Sequence, residues 1–105
     1  MRMVILADDR RVAIGNEGYD GLNLSFLDPT IHAVQWYDTH GEVEHKDPAT
    51  GKMTANREIQ SIDEFQQAIT VWQAAKDAEA ARLAEAEAAR LAAETPVGGT
   101  PNVIA

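Results

Sequence analysis

The sequence predicts an α+β fold: a small antiparallel β-meander of four to five short strands packed against one long C-terminal α-helix, with a disordered C-terminal tail. Two observations carry this prediction. Residues 1–60 alternate short β-prone runs with turns rich in Gly, Asp and Pro, and connections this short favour antiparallel neighbours. Residues 61–94 combine a capping sequence, helically spaced apolar residues and a high alanine content.

The first strands are predicted from short apolar runs around polar turns. Met3–Ala7 is an apolar run typical of a buried strand, Asp8–Arg10 is a polar turn, and Arg11–Ile14 is the returning strand. Three glycines within Gly15–Gly21 predict a loop. Apolar and polar residues alternate along Leu22–Phe26, which indicates a half-buried strand or an extended segment.

Asp28–Asp47 has the pattern of a β-hairpin. Ile31–Tyr37 is the strongest strand candidate, and Asp38–Gly41 is its turn. The return strand, Glu42–Lys46, contains a single apolar residue, Val43, so we expect a charged edge strand.

Side-chain alternation predicts which residues of this hairpin share a face. Val34 and Trp36 are expected on one face, and Ile31 and Tyr37 on the other. Because both faces are partly apolar, this strand is expected at the centre of the sheet. A last short strand is expected within Met53–Gln60, centred on residues 58–60.

The long helix is predicted over residues 61–94. Ser61 and Glu64 are spaced as a capping box, in which the serine accepts from the Glu64 N–H and the glutamate reaches back. Large apolar residues then follow at helical spacings and form one stripe that we expect to pack on the sheet: Ile62, Phe65, Ile69 and Trp72.

Beyond this stripe the helix changes character. The sequence EAARLA occurs at Glu79–Ala84 and again eight residues later, so Leu83 and Leu91 do not stay on one heptad seam. Two interpretations stay open: a solvated helix projecting beyond the domain, or a helix-to-helix contact in a homo-oligomer. The chain thus divides into an α+β domain over 1–75, an alanine-rich helical extension over 76–94 and a flexible tail over 95–105.

Composition narrows the class of protein. The net charge is -8, from 17 acidic and 9 basic residues, which argues against binding nucleic acid or an anionic membrane. The chain has no cysteine, so a disulfide framework and thiolate metal sites are excluded. We expect neither a secretory signal nor a membrane span, and these absences favour the cytoplasm.

The search for reactive groups gives no enzyme, metal or cofactor prediction. His32, His40 and His45 lie across the predicted hairpin, where surface strand positions explain them as well as metal binding does. Asp8 and Asp9 are adjacent on a turn and point apart. The glycines lack the Lys-Ser/Thr of a phosphate-binding loop, and no serine-based triad is expected.

Aromatic and exposed apolar residues are the best candidates for binding a partner. We expect Trp36 and Trp72 to pack together between strand and helix, which leaves the two tyrosines for an interface. The predicted partner-binding residues are Tyr19, Tyr37, Val43, Leu83 and Leu91.

Three segments together resemble a known group of proteins. They are DPTIHAVQW at Asp28–Trp36, GEVE at Gly41–Glu44 and IQSIDEFQ at Ile59–Gln66, the last leading into an alanine-rich helix with Trp72. In this order they resemble the tail fibre assembly proteins, or tail assembly chaperones, of tailed bacteriophages and prophages, over Leu22–Lys76. The resemblance implies binding without catalysis: such proteins hold a fibre or tail polypeptide until it trimerises or polymerises.

Three functions therefore compete. The first is a tail fibre assembly chaperone acting in the host cytoplasm on a fibre or tail protein. The second is a minor structural component of the tail or virion, with the long helix as an assembly arm. The third is an acidic inhibitor of a host protein. The sequence argues against this function, because basic residues are interspersed with the acidic residues along the helix.

Overall fold

The computed structural model describes residues 1–94 as one antiparallel sheet followed by one long helix, which confirms the predicted α+β class. The strands are β1 (Arg2–Leu6), β2 (Arg11–Ile14), β3 (Glu17–Tyr19), β4 (Ile31–Tyr37), β5 (Gly41–His45) and β6 (Arg57–Ile59). A short 3₁₀ helix (Asp63–Phe65) leads into α1 (Gln66–Glu94). The tail predicted over 95–105 lies outside the described residues.

The sheet is built from two three-stranded meanders instead of one. The strand order is β3-β2-β1-β4-β5-β6, and the two halves join where β1 pairs antiparallel with β4. Residues 1–94 contain six strands where four to five were predicted. The predicted edge position of β5 is wrong, because β6 pairs with its outer side and becomes the edge itself.

The additional strand, β3, lies within the segment predicted as a glycine loop. Gly15 and Asn16 form a two-residue connection between β2 and β3, and Gly15 has a φ of +63°. Glycine takes this left-handed conformation without steric cost, so the pair makes a tight hairpin turn. Leu22–Phe26 forms no strand, because local hydrogen bonds, including Ser25 N–H to Asn23 Oδ1 at 3.1 Å, replace a ladder.

The core lies on one face of the sheet, under the start of the helix. Met3 and Ile5 of β1 are fully buried beside Val34 and Trp36 of β4. Residues from the 3₁₀ helix and α1 and from the loop before β4 complete the same cluster: Phe65, Ala68, Trp72 and Leu24. The predicted packing of the helix stripe against the sheet is thereby confirmed, and both tryptophans belong to this core.

A β-bulge changes the predicted faces of β4. Ile31 pairs with His45 and Ala33 with Glu44, so two residues on β4 match a single step on β5. The extra residue reverses the alternation, and Ile31 joins Val34 in the core instead of facing away from it.

The helix begins differently from the predicted capping box. Ser61 Oγ accepts from the backbone N–H of Asp63 at 3.1 Å, and not from that of Glu64. The Glu64 carboxylate instead accepts two hydrogen bonds from Arg57, each at 2.8 Å. Glu64 binds Arg57 on β6 because a bidentate guanidinium–carboxylate pair is stronger than a hydrogen bond back to the N-cap amide.

The chain forms two compact units, Met1–Ala75 and a second unit that begins at Lys76. Within the described part of the second unit, α1 is exposed and carries internal ion pairs: Arg82 with Glu79 at 2.6 Å, and Arg90 with both Glu87 and Glu94 at 2.5 Å. These i,i+3 and i,i+4 pairs support an alanine-rich helix without tertiary packing.

Candidate protein-binding site

The face of the sheet opposite the core is the main candidate for binding. We call it the open face. It is formed by residues at alternate positions on all six strands: Arg2, Val4, Leu6, Arg11, Ala13, Gly18, Ala33, Gln35, Tyr37, Glu42, Glu44 and Glu58. None of them belongs to the core cluster, and all except Ala33 are half-buried or exposed. The face therefore offers apolar and polar side chains together.

Tyr37 is the largest exposed side chain of the open face, at 39% exposure. Its hydroxyl donates to Gln35 Oε1 at 2.6 Å, and Gln35 Nε2 donates to Glu44 Oε2 at 3.0 Å. The Arg2 guanidinium lies 4.8 Å from the ring centroid, and the His40 ring stacks at 5.5 Å. These contacts hold the aromatic ring in one orientation, so little side-chain entropy is lost when a partner covers it.

A concavity of about 240 Å³ lies beside Tyr37 and is lined by His40, Gly41, Glu42 and Glu58. Glu42 and Glu58 are direct cross-strand neighbours on β5 and β6. Like charges in this position repel and destabilise the pair of strands. The concavity therefore joins a fixed aromatic ring to two adjacent carboxylates.

The opposite half of the open face is more neutral. The Arg11 side chain lies across Gly18, where an added Cβ would be 2.3 Å from its guanidinium nitrogen. Arg11 donates to Asp20 at 3.0 Å, which balances its charge. Negative charge thus concentrates at the β5–β6 side of the face.

A larger cleft, of about 610 Å³, lies at the end of the sheet where β1 and β5 finish. It is lined by residues of three connections, among them Arg10, Leu24, Leu27, Asp28, Pro29 and Pro48. Lys46 donates to Asp8 at 2.6 Å, and this hydrogen bond lowers the pKa of the Asp8 carboxyl. His32 Nδ1 lies 3.5 Å from the same carboxylate. The charged groups of Lys46 and Asp8 in the cleft are thus paired within the fold.

A chain of polar contacts ties β4, β5, β6 and the 3₁₀ helix together. Thr30 Oγ1 donates to Asp28 Oδ1 at 2.8 Å and lies 2.9 Å from His45 Nδ1. Arg57 Nε donates to His45 Nε2 at 3.4 Å while its two terminal nitrogens bind Glu64. Both ring nitrogens of His45 thus have a polar neighbour, Thr30 on one side and Arg57 on the other. The arrangement is a structural clamp.

The Glu64 end of this clamp gives a prediction about pH. The hydrogen bonds from Arg57 lower the pKa of Glu64 below its ordinary value of 4.5. A depressed carboxyl pKa stabilises the fold above the unfolded-state value, and this stability is lost as pH falls through the folded-state value. Replacing Glu64 with Gln is expected to cost up to about 1 kcal/mol at pH 7, since the pair is partly exposed. Urea unfolding should show this difference shrinking as pH falls below 4.5.

The matched control is Glu85→Gln, an equal charge change at an exposed helix position. The unfolding free energy of this variant should equal that of the wild-type protein at pH 7 and at pH 3. A Glu64→Gln difference that persisted at pH 3 would contradict the ion-pair origin of the effect.

The predicted partner-binding residues have different surroundings. Tyr37 lies on the open face, whereas Tyr19 is half-buried with its ring edge-on to Trp72 at 6.1 Å. Val43 is fully buried, so its predicted surface role is wrong: it faces the core beside Val34 on the neighbouring strand. Leu83 and Leu91 are 52% and 48% exposed on α1. Roles in binding for Tyr19, Tyr37, Leu83 and Leu91 stay predictions.

Sequence reasoning missed Glu58 as a site residue. A signal was available in the alternation around Ile59, which puts Glu58 on the face opposite a buried residue. Its pairing with Glu42 depends on the β5–β6 register, which only the folded chain fixes.

The three histidines have different surroundings and do not form one site. His32 lies near Asp8, His40 stacks on Tyr37, and His45 belongs to the clamp with Arg57. Within residues 1–94 no group of three or more His, Asp or Glu side chains is placed to bind a metal ion.

The chain matches no family model, no curated protein and no solved structure. In the part of the chain that the structure describes, no helix has both the length and the apolar character needed to cross a bilayer.

Proposed function

We propose that this chain is a non-enzymatic tail fibre assembly chaperone of a tailed bacteriophage or prophage. It binds a fibre or tail polypeptide in the host cytoplasm and holds it until assembly. The support from sequence is the resemblance over Leu22–Lys76. The support from structure is the open face, where a single sheet layer presents a fixed tyrosine among partly exposed apolar residues.

Tyr37 is the observation that carries the proposal. Tyrosine is enriched among residues that dominate binding energy, because it buries a large area at low entropic cost. The side chain is half-exposed yet held by Gln35, Arg2 and His40. Val4 and Leu6 on the neighbouring strand extend the apolar part of the same surface.

Co-expression tests this function. The soluble yield of the tail fibre polypeptide encoded beside this chain should rise when the chain is present. Tyr37→Ala is expected to remove most of that gain and to weaken binding by about 2 kcal/mol, roughly thirtyfold. Tyr37→Phe should retain most of it, since the ring remains.

Leu83→Ala is the comparison variant: Leu83 is also a predicted binding residue, but it lies on the helix instead of the open face, so it reports whether the helix contributes to binding. Fibre yield that does not depend on the chain would contradict the chaperone proposal. A loss for Leu83→Ala with none for Tyr37→Ala would remove the open face as its site.

A second candidate function is a structural component of the tail or virion. The observation in its favour is the exposure of Leu83 and Leu91 on the alanine-rich part of α1, a surface suited to helix packing in an assembly. Mass spectrometry of purified particles separates the two functions, because a chaperone leaves before maturation and a structural component stays.

A further inference from the structure

We propose that an extended segment of the bound polypeptide pairs with the outer edge of β6 and places a lysine or arginine side chain beside Glu58 and Glu42. This inference rests on the proposed function and specifies the chemistry of its partner. It follows from the sheet edge, the cross-strand row of the open face and the unpaired carboxylates at its end.

The two edges of the sheet are not equivalent. At β3, the Trp72 indole donates to the Glu17 carbonyl at 2.9 Å, so a helix side chain packs against that edge strand. At β6, no backbone hydrogen bond joins Arg57–Ile59 to any described residue beyond β5. The unpaired N–H and C=O groups of an edge strand are a template for an added strand. The free edge is therefore at β6.

Sheet geometry determines which side chain an added strand would present to Glu58. Directly paired residues across the sheet point to the same face. One such row runs across the open face through Val4, Gln35, Glu42 and Glu58. A residue paired with Glu58 on an added strand would continue this row, about 5 Å away.

The charges of the row select the chemistry of that residue. Among residues 1–94, the carboxylates of Glu42 and Glu58 make no side-chain hydrogen bond and no ion pair. Their mutual repulsion across the β5–β6 pair destabilises the free protein. A cationic side chain would relieve this repulsion and gain charge-assisted hydrogen bonds, whereas an acidic one would add to it.

A second copy of this chain fits the edge poorly. β6 has three residues, with Glu58 in the middle. Two-fold antiparallel pairing of β6 with itself about this residue would bring Glu58 opposite the same glutamate of the second copy. That like-charge contact is a recognised way in which edge strands avoid self-association. The favoured occupant is therefore a basic segment of a different polypeptide.

The concavity beside this row accommodates the rest of the cationic side chain. Tyr37 and His40 form its aromatic wall, next to Glu42 and Glu58. A cationic side chain that enters from the β6 edge meets Glu58 and then Glu42, and the aromatic rings lie beyond these carboxylates, on the side that its charged end faces.

A synthetic peptide binding experiment tests the inference on the full chain. The probe is a short fluorescent peptide in which threonine and lysine alternate, and its counterpart replaces lysine with glutamate. Fluorescence anisotropy should show binding of the lysine peptide only. Glu58→Gln should weaken that binding about tenfold, the loss of one charge-assisted contact. Glu85→Gln, the matched control, should change it less than twofold.

Backbone pairing can be measured separately by hydrogen exchange, which general charge attraction does not change. Hydrogen exchange of the Glu58 amide, which points away from β5, should slow when the lysine peptide binds. Glu58→Lys should reverse the preference and bind the glutamate peptide. Equal weakening by Glu58→Gln and Glu85→Gln, or unchanged exchange in β6, would overturn the inference. Self-association of the wild-type chain that slows hydrogen exchange in β6 without any peptide would assign the edge to a second copy and overturn it too.

Negative results in this experiment and in the co-expression test contradict different proposals. Peptide binding at β6 without any effect on fibre yield would contradict the chaperone function and leave the basic-segment site standing. A Tyr37-dependent effect on fibre yield without peptide binding would support the chaperone function and remove this site.

Discussion

Replacing Trp72 with alanine is expected to destabilise the domain by about 3–5 kcal/mol. Trp72 is 7% exposed and lies in the core cluster. Its indole N–H donates to the Glu17 carbonyl, and its ring meets Tyr19 edge-on. The substitution therefore leaves a cavity and also removes the hydrogen bond from the helix to β3. A domain of this size has only roughly 4–11 kcal/mol of stability, so much of it would be lost.

Two variants separate the sources of this loss. Trp72→Phe keeps an aromatic ring but removes the indole donor, so we expect a smaller loss of about 1–3 kcal/mol. Leu83→Ala, at an exposed position of the same helix, should change stability by less than about 0.5 kcal/mol. Urea unfolding followed by tryptophan fluorescence and circular dichroism measures all three. A Trp72→Ala loss no larger than that of Leu83→Ala would show that the helix does not close the core.

Replacing Gly41 with alanine is expected to cost about 1–3 kcal/mol through overpacking. A Cβ at this position would lie 2.6 Å from the Gln35 carbonyl oxygen and 2.9 Å from Trp36 Cε3. The carbonyl belongs to the backbone of β4 and cannot rotate away, so β5 would have to shift. The shift would also disturb the neighbouring pair of Glu42 with Glu58.

Gly18→Ala is the matched control for Gly41→Ala. Its added Cβ would meet the guanidinium of Arg11, the mobile end of a flexible side chain. We therefore expect a loss of less than about 1 kcal/mol, within the range of ordinary surface substitutions. Chemical denaturation compares the two variants, and amide chemical shifts along β5 report the strand movement. Equal, small losses at both glycines would contradict the close approach of β4 and β5.

The sequence predicted strands where local patterns and tertiary structure agree. β2 and β4 begin and end at the predicted residues. β3 was missed because its three residues include Gly18 and follow a glycine turn, which masks a strand pattern. The alternation in Leu22–Phe26 was misleading, since Leu24 is buried in an irregular loop and not in a strand.

The candidate site was predictable only in part. Tyr37 could be found because an exposed aromatic position follows from the alternation along β4. Val43 was misassigned because its charged neighbours suggested an edge, although β6 covers that side. The pairing of Glu42 with Glu58 could not be read locally, because it joins residues separated by the long β5–β6 connection.

The sequence by itself determined the class of fold, the buried stripe of the helix and the acidic character of the chain. Each follows from local periodicity or from composition, which act over a few residues or over the whole chain without reference to pairing. Tertiary structure alone decided the six-strand order, the bulge that brings Ile31 into the core and the bond of Glu64 to Arg57. These features depend on contacts between distant segments, whose register local patterns do not specify. For the same reason only the folded chain defines the open edge at β6 and the carboxylates beside it.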